Sequence, residues 1–112
     1  MDQLKGHVPR ITYATTVVLA ALEHGLTHGF DIMDETGLPA GTVYPILRRL
    51  EEAGLLRSAW EAETRARAAG RPRRRNYRLT AAGRAAVKEA LARHPRVLRL
   101  FDGQPYGAPE HP

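Results

Sequence analysis

The chain has 112 residues, 17 Lys and Arg against 12 Asp and Glu, and a formal net charge of +5 at pH 7. That length builds one domain around one modest core, and the positive balance favours a polyanion or an acidic surface as partner. With no cysteine in the chain, disulfides, thiolate nucleophiles, iron–sulfur clusters and cysteine zinc sites are excluded.

Residues 1–10 are polar and predict a flexible N-terminal arm. The order Met1 to Gly6 lacks the basic, apolar and small regions of a secretory signal. Residues 11–24 predict the first helix, with Val17, Val18, Ala21 and Leu22 at helical spacing and Gly25 as its stop. The β-branched cluster Thr15 to Val18 admits a strand, but the alanines and the length favour a helix. Its apolar run, Val17 to Leu22, is far shorter than the ~20 residues that span a bilayer, so no membrane partner is expected. Thr27 is expected to cap a short second helix over about 29–36, which Gly37 ends and which carries Phe30 and Met33 on one face. Pro39 and Gly41 open a third helix running to about Ala53. Its apolar residues Val43, Ile46, Leu47 and Leu50 fall at i, i+3, i+4 and i+7, one inward stripe.

After Gly54 the period changes. Leu55 to Glu61 reads as a strand, Glu63 to Arg75 as a polar loop around Gly70 and Pro72, and Asn76 to Thr80 as a second strand. Thr80 then caps a helix from Ala81 to about His94, which Pro95 ends or kinks. Arg96 to Phe101 predicts a short amphipathic continuation, and Gly103 to Pro112 a disordered tail. Helix, helix, helix, strand, long loop, strand, helix is the winged helix-turn-helix order, a mainly α fold with a β-hairpin wing (α+β). The expected layout is an arm at 1–10, a winged DNA-binding domain at 11–80, a dimerisation helix at 81–102 kinked at Pro95, and a tail at 103–112.

The chemistry concentrates in two places. From Arg65 to Arg78 there are seven arginines and no acidic residue, four of them, Arg71, Arg73, Arg74 and Arg75, around Pro72. Guanidinium forks bind phosphate and enter narrow minor grooves, and a hairpin tip carries them beyond the fold; otherwise the segment is a solvated loop. On the third helix, an inward stripe leaves Thr42, Tyr44, Pro45, Arg48 and Arg49 facing away. The helix N-terminus offers backbone N–H groups to a phosphate, Gly41 allows close approach, Thr42 and Tyr44 carry hydroxyls, and Arg48 can reach a guanine edge. The alternative is that Arg48 and Arg49 pair with Glu51, Glu52 or Glu23, and that Tyr44 is a half-buried surface aromatic. Pro45 is compatible with a helix that starts near Thr42, which would put it in the first turn.

The five histidines are scattered without metal-ligand spacing, and no nucleophile, base and orienting group occur together. No cofactor, metal or enzymatic activity is expected. Trp60 is expected to pack in the hairpin or core. Val87, Ala90, Leu91, Val97, Leu98, Leu100 and Phe101 either pack on the first helix or bury against their copies in a symmetric dimer.

The stretch His28-Gly29-Phe30-Asp31-Ile32, then Gly41-Thr42-Val43-Tyr44-Pro45-Ile46-Leu47-Arg48-Arg49-Leu50-Glu51, then Gly54-Leu55-Leu56, resembles the PadR family of bacterial transcriptional regulators. Arg74 to Gly83 resembles that family's second wing strand and the start of its dimer helix. The resemblance covers about residues 12–90. It implies a homodimeric winged helix protein of the bacterial cytoplasm and nucleoid, usually a repressor on an inverted-repeat operator in double-stranded DNA. It also implies that Thr42 and Tyr44 open the recognition helix, and that a small aromatic effector releases the DNA. Pro39 stands where many relatives have a capping serine, and no tryptophan occurs in the C-terminal region. A sensor acting chiefly through ligand binding, and a basic RNA- or protein-binding adaptor, are the competing functions.

Overall fold

The computed structural model describes residues 10–101. The expected tail at 103–112 and all of the expected arm except Arg10 lie outside the described residues. The elements run α1 Tyr13–Glu23, α2 Gly29–Thr36, α3 Ala40–Glu52, β1 Leu56–Trp60, α4 Glu63–Ala68, β2 Arg75–Leu79 and α5 Ala81–Arg93, with a 3₁₀ turn at Pro95–Phe101.

The first helix is central. Thr12 caps it, its hydroxyl accepting from the Thr15 amide at 3.0 Å, and the stretch Thr15 to Leu22 is buried without interruption. A helix buried all round needs no polar face. The two threonines fit there because the Thr16 hydroxyl donates to the Thr12 carbonyl at 2.9 Å and the Thr15 hydroxyl oxygen accepts from that of Thr12 at 3.0 Å. The helix ends as its sequence predicts: Gly25, at φ 102°, donates to Leu22, and Leu26 donates to Ala21, satisfying the last carbonyls.

Val43, Ile46, Leu47 and Leu50 of α3 are all buried against α1, together with Ile32 of α2 and Leu56 and Tyr77 of the hairpin. The two strands pair antiparallel, with Leu56 opposite Leu79, Ser58 opposite Tyr77 and Trp60 opposite Arg75. Alternation puts these pairs on one face and Arg57 and Arg78 on the other. Thr80 caps α5 by accepting from the Gly83 amide at 3.0 Å, and donates to the Gly54 carbonyl at 2.8 Å. Gly83 lies so close to the Leu55 carbonyl that a Cβ there would collide with backbone.

Four expectations are corrected. Thr27 does not cap α2: His28 occupies the cap position, and the Thr27 carbonyl instead accepts from the Tyr77 amide at 2.8 Å, adding a partner along the free edge of β2. The segment Glu63 to Arg75 is not all loop, since α4 forms within it on good helix formers. A Glu63–Arg67 pair spans one turn at 3.3 Å, and Gly70 at φ 69° follows the helix end. Pro45 is not in the first turn, because α3 begins at Ala40; the Gly41 carbonyl therefore lacks its intrahelical donor. At Pro95 the chain does not kink and continue as α-helix but changes to a tighter 3₁₀ turn.

The apolar stripe of α5 and the 3₁₀ turn takes one of its two expected packings. Val87, Ala90, Val97 and Phe101 are buried inside the single chain and Leu91 packs against the same core. Their apolar surface is already covered by α1, and Phe101 stacks on His24 at 4.6 Å between ring centroids. Of the expected stripe Leu98 and Leu100 remain exposed, accompanied at the start of α1 by Tyr13.

Candidate nucleic-acid interface

The buried stripe of α3 fixes what its outer face presents. Gly41, Tyr44, Arg48 and Arg49 are exposed, and Thr42 and Pro45 are half-exposed. Nothing lies within 4 Å of the position a Cβ would take on Gly41, so the backbone at the start of the helix is open to an approaching molecule. Tyr44 keeps 44% of its surface accessible. Its ring lies across Gly29 at the start of α2, where a Cβ would come within 2.5 Å of the ring. The tyrosine is thus supported from below by the helix-turn-helix itself. Neither Arg48 nor Arg49 forms an ion pair among the described residues. Glu51, one of their expected partners, accepts a hydrogen bond from Ser58 at 2.6 Å instead.

The wing is tied at its root by Glu61, a residue whose role the sequence alone does not reveal. It is 5% exposed and takes both terminal nitrogens of Arg71 in a bidentate pair at 2.6 and 2.8 Å. The Arg74 amide donates to the same carboxylate at 3.2 Å. The main chain adds two bonds: the Glu61 amide donates to the Arg74 carbonyl at 2.7 Å, and Arg73 Nε donates to the Glu61 carbonyl at 2.9 Å. The Arg71 guanidinium holds the Glu61 carboxyl down at about 2, and Glu61 in turn raises Arg71. Arg71 therefore does not project with the other wing arginines. It is a strut, and the signal that would have found it is an acid directly after the first strand facing an arginine run directly before the second.

Arg75 Nε donates to Ser58 Oγ at 2.9 Å, completing a chain from Glu51 on α3 through Ser58 on β1 to Arg75 on β2. The guanidinium carbons of Arg73 and Arg75 lie over the Trp60 ring, 5.7 and 5.0 Å from its centroid. Trp60 does pack in the hairpin, but through these cation–π contacts rather than in the core, and it is 56% exposed. Such contacts orient the two guanidinium groups, whose Nε atoms are tied to Glu61 and Ser58.

These parts meet. Tyr44 and Phe30 from the helix-turn-helix, Trp60 from β1, and Arg73, Arg74 and Arg75 from the wing line one open cleft of about 290 Å³. No carboxylate lines it. The tyrosine of α3 and the cationic wing therefore share one side of the molecule. The arrangement offers aromatic edges, hydroxyls and guanidinium forks to a ligand that is both anionic and extended.

The model of the transcriptional regulator PadR-like family matches residues 18–89. Comparison with curated proteins gives no match. Among solved structures, a PadR family transcription regulator from Clostridium difficile R20291 is 25% identical, with a TM-score of 0.61 over 82% of this chain and all (100%) of that one. The smu.1704 protein of Streptococcus mutans UA159 is 26% identical, with a TM-score of 0.61 over 96% of this chain and 100% of that one. BpsR of Bordetella bronchiseptica, whose DNA binding is regulated by 6-hydroxynicotinic acid, is 28% identical, with a TM-score of 0.58 over 82% of this chain and 62% of that one.

Proposed function

Because the chain belongs to the transcriptional regulator PadR-like family, whose members are regulators and not enzymes, we propose that it is a homodimeric repressor that reads an inverted-repeat operator in double-stranded DNA and is released by a small effector. The observation that carries this reading is the shared cleft, in which Tyr44 of α3 and Arg73 to Arg75 of the wing face one space. In the proposed complex α3 enters the major groove. Thr42, Tyr44 and Arg48 meet base edges and phosphates there, and the Gly41 backbone approaches the strand. Pro45 stiffens the presented turn, and Arg49 flanks it. Arg73 and Arg75, aimed by Trp60 and Ser58, grip phosphate or the minor groove. Arg71 acts through Glu61 by holding the wing in place, and Arg74 closes the wing root.

Two copies would read half-sites about one helical turn, ~10 bp, apart. The proposed dimer contact uses the apolar side chains left outside the core, Leu98, Leu100 and Tyr13. Residues 11–80 form the reading head and 81–102 the dimerising part in this scheme. Among the described residues no helix is long and apolar enough to cross a membrane, in keeping with a place in the cytoplasm on the nucleoid. The control of BpsR by 6-hydroxynicotinic acid supports a small-molecule effector.

A mobility-shift assay with the inverted repeat from the gene's own upstream region tests the reading. Thr42→Ala or Tyr44→Ala should lose preference for that repeat over a scrambled duplex. Arg73→Ala with Arg75→Ala should weaken binding to both. Unchanged binding in all of these variants removes the proposal.

A further inference from the structure

A second cleft, of about 660 Å³, runs along the edge of β2 that faces away from β1, from the α1–α2 turn to α4. Its volume is in the range of small-molecule sites. Four arginines line it, Arg65, Arg71, Arg74 and Arg78, against the carboxylate of Glu61. The bidentate pair with Arg71 uses that carboxylate, so three guanidinium groups remain in excess. Among the described residues, Arg65 and Arg78 have no ion-pair partner, and Nε of Arg74 is buried from water without a hydrogen-bond acceptor. Trp60, an exposed ring, and the largely buried Tyr77 also line this cleft. Arg74 and Trp60 also line the cleft beside Tyr44, so whatever fills the rear space touches the wing residues that face DNA.

We propose that this rear cleft binds a small organic phosphate, its phosphate among Arg65, Arg74 and Arg78 and its planar ring beside Trp60 and Tyr77. Guanidinium forks match phosphate oxygens in pairs, the three guanidinium groups outside the Glu61–Arg71 pair meet no further carboxylate in the cleft, and the ring surface selects against inorganic phosphate. The inference gives the effector reading above a site and a ligand class, and it rests on that reading only for the consequence at DNA. A ligand wedged against Arg74 and Trp60 shifts Arg73 and Arg75 and lowers operator affinity.

Calorimetric titration of the full chain in about 0.15 M salt tests the site with adenosine 5′-monophosphate, adenosine and inorganic phosphate as probes. Adenosine 5′-monophosphate should bind saturably, with adenosine and inorganic phosphate each at least about tenfold weaker. Arg65→Ala with Arg78→Ala should lower its affinity by at least about tenfold, while Arg48→Ala, outside the cleft, leaves it unchanged. Circular dichroism melts verify that the variants are folded. No saturable binding of adenosine 5′-monophosphate, equal binding of inorganic phosphate, or full binding by the folded double variant overturns the site. If the nucleotide binds as expected but operator affinity is unchanged at saturation, the site stands and its effector role falls. If the unliganded protein ignores the operator, the DNA reading falls and the site stands.

Discussion

The carboxylate of Glu61 holds both terminal nitrogens of Arg71, at 2.6 and 2.8 Å, across a sequence separation of ten residues. This pair closes the wing. It converts one of the arginines expected at the hairpin tip into a structural strut, and it leaves Arg73 and Arg75 to carry the projecting charge.

The pair makes wing stability depend on acid. The Glu61 carboxyl sits at about 2 against an ordinary 4.5, so its folded-state pKa is depressed. Its contribution is full above about pH 4.5 and is lost as pH falls towards 2. Thermal melts of wild type and Glu61→Gln between pH 7 and pH 2 should differ most at pH 7 and converge in acid. Parallel pH profiles would show that the pair does not hold the wing.

Gly83 is the test of the α5 docking. A Cβ there would meet the Leu55 carbonyl, which is backbone and cannot swing aside. Gly83→Ala should therefore cost about 1–3 kcal/mol, a drop of roughly 4–8 °C in Tm for each kcal/mol in a domain of this size. Calorimetric melting reads it directly.

Gly29 offers the contrasting case. There the nearest atoms to a Cβ are the outer atoms of the Tyr44 ring, a side chain that can move. Gly29→Ala should leave Tm nearly unchanged, lift Tyr44 from its seat and weaken operator binding. In a double-mutant cycle the Gly29→Ala effect should vanish in a Tyr44→Ala background; full additivity would mean that the two residues act separately.

The proposed dimer contact separates exposed from buried apolar residues. Leu98→Asp should yield a folded monomer by sedimentation and reduce operator affinity. Val97→Asp, at a buried position, should unfold the chain. A dimer that survives Leu98→Asp and a matching Leu100→Asp change would move the interface elsewhere.

Periodicity exposed the architecture in the sequence because each core stripe keeps one period: Val43 to Leu50 at helical spacing, Tyr77 and Leu79 in alternation. Glycines at 25, 37 and 54 marked helix ends because their backbones take positive φ. What was not legible depended on distant partners. α4 has no apolar stripe, only Ala66 tucked inward. The bond from Tyr77 to Thr27 is main-chain to main-chain and leaves no trace in residue type. Whether α1 or a second copy covers the apolar face of α5 was not legible either, because that face reads the same in both cases. The roles of Glu61, Ser58 and Trp60 needed the hairpin register, which pairs Trp60 with Arg75 and Ser58 with Tyr77.

The measurement that bears most directly on the central claim is the salt dependence of operator affinity, by fluorescence anisotropy between about 50 and 200 mM salt. For wild type, log affinity should fall linearly with log salt. Arg73→Ala with Arg75→Ala should flatten the slope by about 0.9 for each phosphate that the variant no longer neutralises, whereas Tyr44→Ala should keep the slope and lose the preference for operator. A slope that is the same in wild type and the double arginine variant would contradict a wing that grips the DNA backbone.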